Sequence, residues 1–422
     1  MKRTRRITAM ALVLVLAMGF ACAAYGESML PVVTIQAESL EDWWGKGDVR
    51  NAVLTYRDFS TGIQFVRNIT IKPQGSSSLA YDKKNFTIQM TEEGVEMRPE
   101  WGAQSKYCLK ANYIDPTQAG NVVSARLAAE MNEAYGLFDG APNHGVIDGF
   151  PVWIILNGQD AGLYTWNIPK AAWMFGMDEE NENHIVMCCE GWTPSCKMQT
   201  DSYTIGEDWE LEVGQNTSAT VEKFVRVLRF VSTSSDDEFR ADFDQYLNLD
   251  ACLNYYCYVC ITAGVDNIGK NMLMTTLDGQ VWSPVLYDLD SLWGVSWDGK
   301  SISAGNSIDV YYSDNRLFER LRALFGNELR ARYAELRNGI FSREHIQTAF
   351  YDFADGIPQS AYAMDRQMWN ADGSLIRTLD MMWELIDLYL PKMDYRFGYE
   401  SQEMPYSAAG DSATGQIEGE IE

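Results

Sequence analysis

Residues 264–294 read GVDNIGKNMLMTTLDGQVWSPVLYDLDSLWG and combine two apolar, strand-like runs with several oxygen-bearing side chains. Asp266 and Asn271 precede the first run, and Asp288 and Asp290 follow or end the second. A hairpin made of the two runs would bring Asn271 and Asp288 close together, because paired strands end side by side. Carboxylate and amide oxygens are the ligands that Mg²⁺ prefers. The stretch therefore predicts a divalent-cation site at the open end of a hairpin.

A simpler interpretation is that these residues are solvated turn positions, since Asp and Asn favour turns. We accept that interpretation for Asp278, in the middle of the hairpin. Asp266, Asn271 and Asp288 flank apolar strands in the most hydrophobic part of the chain, where an unpaired carboxylate is costly without a cation. Their order, an Asp, an Asn five positions later and an Asp beyond a hairpin, repeats that of the catalytic and metal residues of protein kinases.

The N-terminus has the organisation of a secretory signal. Residues 1–26 contain the basic MKRTRR, an apolar run and then small residues. We expect this segment to be removed and the protein to be secreted or held at the cell surface. Lipid attachment at Cys22 is a less favoured alternative, because the residues before it lack the leucine usual at such sites. No later stretch approaches about 18 apolar residues, so no transmembrane segment is predicted.

The chain is strongly acidic, with a formal net charge of −25 that becomes about −29 once the signal is removed. Such a surface repels nucleic acid and anionic lipid, so we expect neither as a partner. With three histidines and no H-E-x-x-H motif, the sequence gives no support to zinc hydrolysis. It also contains no convincing Ser-His-Asp or Cys-His set.

The pattern of strands and helices predicts an α+β domain over residues 30–400. Residues 30–175 read as β-rich, with one helix and a hairpin at Asn157-Gly158. Residues 216–400 read as mainly helical, and residues 401–422 as a disordered acidic tail.

Seven cysteines follow the signal, an odd number for a disulfide framework. Cys252, Cys257 and Cys260 lie in an apolar helical run and are expected to be buried free thiols. The segment CCEGWTPSC, residues 188–196, has a spacing that could hold one disulfide or a soft metal.

Five pieces of the sequence, in order, resemble the CotH kinase family, the spore coat protein H-like atypical protein kinases of secreted and spore-surface proteins. They are GSSSLAYDKKNFTIQM, KYCLKANYIDPTQAGNVVSARLA, VWIILNGQDAGLYTWNIP, YLNLDACLNYYCYVCITAGVDNIGKN and WSPVLYDLDSLWG, all within about residues 60–300. The resemblance implies an atypical protein-kinase-like fold with a β-rich N-terminal lobe and a mainly helical C-terminal lobe. It also implies transfer of the ATP γ-phosphate, with Mg²⁺ or Mn²⁺ as cofactor, to Ser, Thr or Tyr hydroxyls of coat or extracellular proteins.

Site residues follow from the resemblance position by position. Asp266 is similar to the catalytic aspartate, which orients or deprotonates the acceptor hydroxyl. Asn271 and Asp288 look like metal ligands, with Asp290 in support.

A kinase also needs groups that contact the ATP phosphates. Lys84, at the start of the strand KNFTIQM, is the first candidate, and Lys110 is the second. The loop containing Gly75, Ser76 and Ser77 could offer backbone N–H groups and hydroxyls to phosphate.

The chain departs from the family at three places on the phosphate side. Gly120 stands where the family typically has an arginine, Pro73-Gln74-Gly75 replaces an Arg-Gly pair, and Asn167 lies near the usual position of a glutamate. These departures favour an alternative function, a catalytically degenerate surface or spore-coat protein with a structural or adhesive role. A second alternative is a metal-dependent glycosyltransferase that uses the DLD sequence at Asp288, which would leave Asp266 and Asn271 without a role.

Overall fold

The computed structural model describes residues 30–40, 45–303 and 309–409. The predicted signal, residues 1–26, and the last part of the predicted tail, residues 410–422, lie outside the described residues. Both helices and strands are present, with strands concentrated in the N-terminal part and helices in the C-terminal part, which confirms the α+β class.

Seven strands of the N-terminal part form a closed barrel with the order β1-β2-β3-β4-β7-β9-β8. Val32 of β1 pairs with Trp153 of β8 in the parallel contact that closes the barrel, and every other contact in it is antiparallel. A separate two-stranded ribbon, β5 with β6, lies beside it. The strands are β1 Val32–Ala37, β2 Arg50–Arg57, β3 Gln64–Gln74, β4 Asn85–Met90, β5 Val95–Glu96, β6 Ala103–Gln104, β7 Lys106–Lys110, β8 Gly149–Leu156 and β9 Gln159–Asn167.

Alternating aliphatic side chains fill the barrel. Ile35, Leu54, Ile71, Ile88 and Ile154 are fully buried, as the period-two pattern of a strand requires. Each such side chain contributes about 1.5–3 kcal/mol of burial free energy. The turn between β8 and β9 is the predicted Asn-Gly turn, and both of its residues have positive φ.

A second sheet carries the hairpin identified in the sequence. Its strands, all antiparallel, are in the order β11-β10-β12-β13. They are β10 Ile185–Cys189, β11 Trp209–Val213, β12 Met272–Thr276 and β13 Ser283–Leu286. Residues 176–215, which lie between the predicted β-rich and helical parts, thus supply half of this sheet.

Helices surround the second sheet and also connect it to the barrel. They are α1 Gly120–Ala134, α2 Ser218–Thr233, α3 Asp236–Ala241, α4 Leu249–Ile261, α5 Arg316–Leu324, α6 Gly326–Asn338, α7 Arg343–Asp355, α8 Gln359–Trp369 and α9 Leu379–Phe397. Buried residues of the barrel, the second sheet and the helices form one continuous hydrophobic core. The division into two kinase-like lobes therefore stays a prediction. In the described part of the chain, no helix is both long and apolar enough to cross a membrane.

The chain continues to pack against the rest of the protein beyond residue 400, where the sequence predicts the start of a disordered tail. Tyr406 is 3% exposed, and its ring lies 6.1 Å from that of Trp383 in α9. The backbone N–H groups of Tyr406 and Ser407 donate to the Asp387 carboxylate. The segment around Tyr406 is held against α9 because the Tyr406 ring finds a site in the core.

Candidate functional site

A cavity of about 600 Å³ is lined by residues of both the barrel and the second sheet. The barrel contributes the loop between β3 and β4 and parts of β4 and β7, and the second sheet contributes β10, β11 and the open end of the β12–β13 hairpin. Every predicted site residue except Lys84 lines it, namely Gly75, Ser76, Ser77, Lys110, Asp266, Asn271, Asp288 and Asp290. The structure therefore brings together groups that lie more than 200 residues apart in the chain.

The register of the hairpin explains how Asn271 and Asp288 come together. Met272 pairs with Leu286, so the residues just outside this pair lie at the open end of the hairpin. Asn271 and Asp288 both adopt left-handed backbone conformations, with φ of 56° and 53°. Asn and Asp tolerate this region better than other side-chain-bearing residues. The Asn271 backbone N–H donates to the Cys189 carbonyl at 3.2 Å, which ties the metal-ligand candidate to β10.

The carboxylates at this end of the hairpin influence one another. Burial and the negative charge of Asp288 raise the pKa of Asp266, and Lys270 opposes that rise. Burial and Asp288 also raise the pKa of Asp290 to about 7, against the opposing effects of Lys110, Ser291 and Arg377. A negative charge at Asp288 thus acts on both neighbours, which shows that the three carboxylates share one electrostatic environment.

The residues present fit a hard divalent cation. The side chains of Asp266 and Asn271 make no hydrogen bond within the described part of the chain, so their oxygens are available to a ligand. The Asp288 carboxylate has a single ion-pair partner there, the Lys110 ammonium at 3.7 Å. Two carboxylates and an amide oxygen suit Mg²⁺ or Mn²⁺, which complete their coordination with water and phosphate oxygens.

Another cluster of metal-ligand types faces the same cavity. Among the described residues, Cys188, Glu190 and Glu212 form the only trio whose ligand atoms all lie within 4.8 Å of one another. The Lys170 ammonium already occupies the space between them. It lies 3.2 Å from the Cys188 sulfur and ion-pairs with Glu212. The hairpin carboxylates do not form so tight a trio, and an ion bound there would depend more on ligand oxygens from outside the protein.

A comparison with protein families gives a match over most of the chain. The family model described as CotH kinase protein matches residues 71–384, most of the chain and the whole of the cavity lining from β4 onward. The chain belongs to the CotH kinase family. A comparison with curated proteins found no match.

Within this CotH kinase fold, the lysines are concentrated at the cavity. Six of the 13 lysines of the chain line it, and among the described residues no arginine does. They are Lys46, Lys72, Lys106, Lys110, Lys170 and Lys270. Six carboxylates also line the cavity, so its charges balance, and an anionic ligand would need a bound cation as well as the lysines. The carboxylates belong to Glu190, Glu210, Glu212, Asp266, Asp288 and Asp290.

The structure distinguishes the two lysines that the sequence offered as phosphate contacts. Lys84 donates to the backbone carbonyls of Leu79 and Tyr81, so its ammonium secures the loop before β4. Lys110, at the end of β7, lines the cavity beside Asp288. Burial alone would lower the pKa of Lys110, but Asp288 and its neighbours raise it above the usual value, so the side chain stays charged.

The Gly75–Ser78 loop lines the cavity on the barrel side. Gly75 has a φ of +123°, and a Cβ at this position would lie 1.8 Å from the Ser78 hydroxyl oxygen. Only glycine fits there without moving the loop. The Lys46 ammonium donates to the Ser76 hydroxyl at 3.1 Å, which brings a further cation to the loop.

Two residues that sequence reasoning did not assign to the site hold the DLD segment in place. The Asn121 side-chain oxygen, in α1, accepts from the Leu289 N–H at 3.1 Å. The buried Arg377 donates to the carbonyls of Asp290 at 2.7 Å and Leu292 at 2.8 Å. The groups that Asn121 and Arg377 contact, the Leu289 N–H and the Asp290 and Leu292 carbonyls, all belong to the backbone. No local sequence pattern could therefore have identified these contacts.

The departures from the family pattern have different structural outcomes. At Gly120, a Cβ would lie 2.4 Å from an Asp115 carboxylate oxygen and 2.7 Å from an Arg377 nitrogen, so Arg377 occupies space that a larger side chain at position 120 would need. Asn167 is fully buried, and its side-chain nitrogen and oxygen make no hydrogen bond within the described residues. A guanidinium is therefore still present beside Gly120, whereas the position of Asn167 lacks a charged group.

Proposed function

We propose that the protein is a secreted, ATP-dependent protein kinase that phosphorylates Ser, Thr or Tyr hydroxyls of extracellular or spore-coat proteins. We also propose that the barrel and α1 act as one lobe of a kinase-like fold, the second sheet and later helices as the other, and the cavity as the nucleotide site between them. The main support is the cavity itself, which brings the predicted catalytic and metal-binding residues together with Lys110 and the Gly75–Ser78 loop.

In the proposed reaction, Asn271 and Asp288 hold the metal, with Asp290 in support. Bound Mg²⁺ or Mn²⁺ would neutralise charge on the ATP phosphates. Lys110 stays protonated beside Asp288 and donates to phosphate oxygens, and the Gly75–Ser78 loop covers the phosphates on the barrel side.

Asp266 accepts the proton of the attacking hydroxyl. Burial and the charge of Asp288 raise the pKa of Asp266 above the ordinary aspartate value. A higher pKa makes its carboxylate a better proton acceptor. Positioning and charge neutralisation supply the rest of the catalysis, because phosphoryl transfer of this class needs no covalent nucleophile.

Two substitutions separate binding from chemistry. Asp288→Asn is expected to weaken Mg²⁺-ATP binding by at least about tenfold, measured as a smaller thermal shift. Asp266→Asn is expected to bind Mg²⁺-ATP but not to transfer the labelled γ-phosphate to itself or to an added protein. If no nucleotide shifts the melting temperature of the wild-type protein, the degenerate structural or adhesive alternative is correct instead. A shift with UDP-sugars alone would indicate glycosyl transfer.

A further inference from the structure

Cys189 and Cys196 lie on either side of a short turn, close to the residues assigned to the metal. Cys189 is the last residue of β10, and both side chains are fully buried. The Cys189 sulfur lies 3.6 Å from the Cys196 carbonyl oxygen, which places the two residues side by side across the turn. From this position, side-chain rotation and a small backbone shift are the movements needed to bring the sulfurs to bonding distance.

Cys189 also contacts the segment that joins Asp266 to Asn271. Its thiol donates to the Gly269 carbonyl at 3.0 Å, and its own carbonyl accepts from the Asn271 N–H at 3.2 Å. The Cys196 thiol donates to the Asp208 carbonyl at 2.9 Å, and that carbonyl accepts a second bond from the Glu190 N–H. Of the two acceptors, only the Gly269 carbonyl depends on the thiol for its hydrogen bond within the described residues.

We propose that Cys189 and Cys196 form a reversible disulfide whose formation changes the position of the Asp266–Asn271 segment. The Cys189 and Cys196 S–H bonds break and one S–S bond forms. The two electrons and two protons pass to a small-molecule or protein disulfide, which is reduced to two thiols. A disulfide sulfur carries no hydrogen to donate, so the Gly269 carbonyl loses its partner.

The effect on the nucleotide site rests on the proposed function. The Gly269 carbonyl lies two residues from Asn271, and its hydrogen bond to Cys189 helps to fix the loop that carries both Asp266 and Asn271. Loss of one hydrogen bond corresponds to about a two- to tenfold change in an equilibrium constant. We therefore expect the oxidised protein to bind Mg²⁺-ATP about two- to tenfold more weakly than the reduced protein.

The disulfide is tested first by mass spectrometry, which does not depend on any activity. The full chain is refolded in a reduced or an oxidised glutathione buffer, free thiols are alkylated, and the protein is cleaved after glutamate. Cleavage at Glu190 separates Cys188 and Cys189 from Cys196. Joined fragments are expected from the oxidised wild-type and Cys188→Ala proteins but not from Cys189→Ala or Cys196→Ala. Fully alkylated fragments, or joined fragments from Cys189→Ala, overturn the proposal.

The coupling is tested by Mg²⁺-ATP affinity in the same two buffers. Wild-type protein is expected to bind more weakly when oxidised. Cys196→Ala keeps the Cys189 bond to Gly269 and is expected to bind equally in both buffers. Equal wild-type affinities with the disulfide formed refute the coupling. Failure to bind nucleotide in either buffer refutes the proposed function, and the fragment masses alone then decide on the disulfide.

Discussion

Asp288→Asn should reverse the effect of Mg²⁺ on ATP binding. The substitution keeps the size of the side chain and removes one negative charge. The wild-type carboxylate lies 3.7 Å from the Lys110 ammonium and is about one-third exposed, so its charge is partly screened. Two unit charges about 4 Å apart interact by about 1 kcal/mol in water and about 4 kcal/mol in a partly buried setting. For Asp288 we use the lower half of that range, about 1–2 kcal/mol, which corresponds to about 5- to 30-fold in affinity.

The sign of this effect depends on the metal. In EDTA, loss of the charge releases the Lys110 ammonium from its ion pair for the triphosphate, so Asp288→Asn should bind ATP about 5- to 30-fold more tightly than wild type. In Mg²⁺, loss of the ligand should weaken binding by at least about tenfold. Isothermal titration calorimetry measures both constants.

Asp278→Asn is the matched control for this prediction. Asp278 lies in the turn of the same hairpin, outside the cavity, and its carboxylate accepts from the Gln280 and Val281 N–H groups. Asn keeps an acceptor there, so this variant should behave as wild type. Full strengthening of ATP binding by Mg²⁺ in the Asp288→Asn protein would refute the role of Asp288 as a metal ligand.

Three further predictions concern the cavity wall and the core. Lys110→Met should weaken Mg²⁺-ATP binding about tenfold by calorimetry. Lys84→Met should weaken it less, through loosening of the loop before β4, and should lower the free energy of unfolding by roughly 1–3 kcal/mol, because its ammonium bonds backbone carbonyls. The reverse pattern would show that Lys84 is the phosphate contact. Asn121→Ala should weaken Mg²⁺-ATP binding and cost about 1–3 kcal/mol of stability in urea, because the Leu289 N–H loses its acceptor; unchanged affinity would show that this contact does not position the site. Asp394→Ala should cost about 1–3 kcal/mol in urea, since the buried Arg337 guanidinium and Tyr333 hydroxyl lose this acceptor while Glu403 still pairs with Arg337, and a loss below about 1 kcal/mol would contradict that view.

The hairpin and its polar residues could be predicted because their signals are local. Two apolar runs separated by a turn sequence indicate paired strands, and the pairing of Met272 with Leu286 places Asn271 and Asp288 as the pattern requires. Membership of the CotH kinase family, predicted from five sequence pieces, is confirmed by the match over residues 71–384. The α+β class followed from the change between strand and helix periodicity.

Closure of the barrel could not be predicted from local patterns. The pairing of Val32 with Trp153 joins strands more than 100 residues apart, and alternation within a strand does not specify which distant strand it meets. The sequence favoured Lys84 over Lys110 as the phosphate contact, although both lie at an end of a strand. Only the structure of the loop before β4 shows that the Lys84 ammonium donates to backbone carbonyls.

The most direct test of the central claim is a crystal structure with Mn²⁺ and a non-hydrolysable ATP analogue, in which anomalous scattering locates the ion. The account predicts one Mn²⁺ peak at coordination distance, about 2.0–2.3 Å, from side-chain oxygens of Asn271 and Asp288 and from phosphate oxygens of the analogue. A peak held by Cys188, Glu190 and Glu212 instead, or an analogue bound outside the cavity, would contradict it.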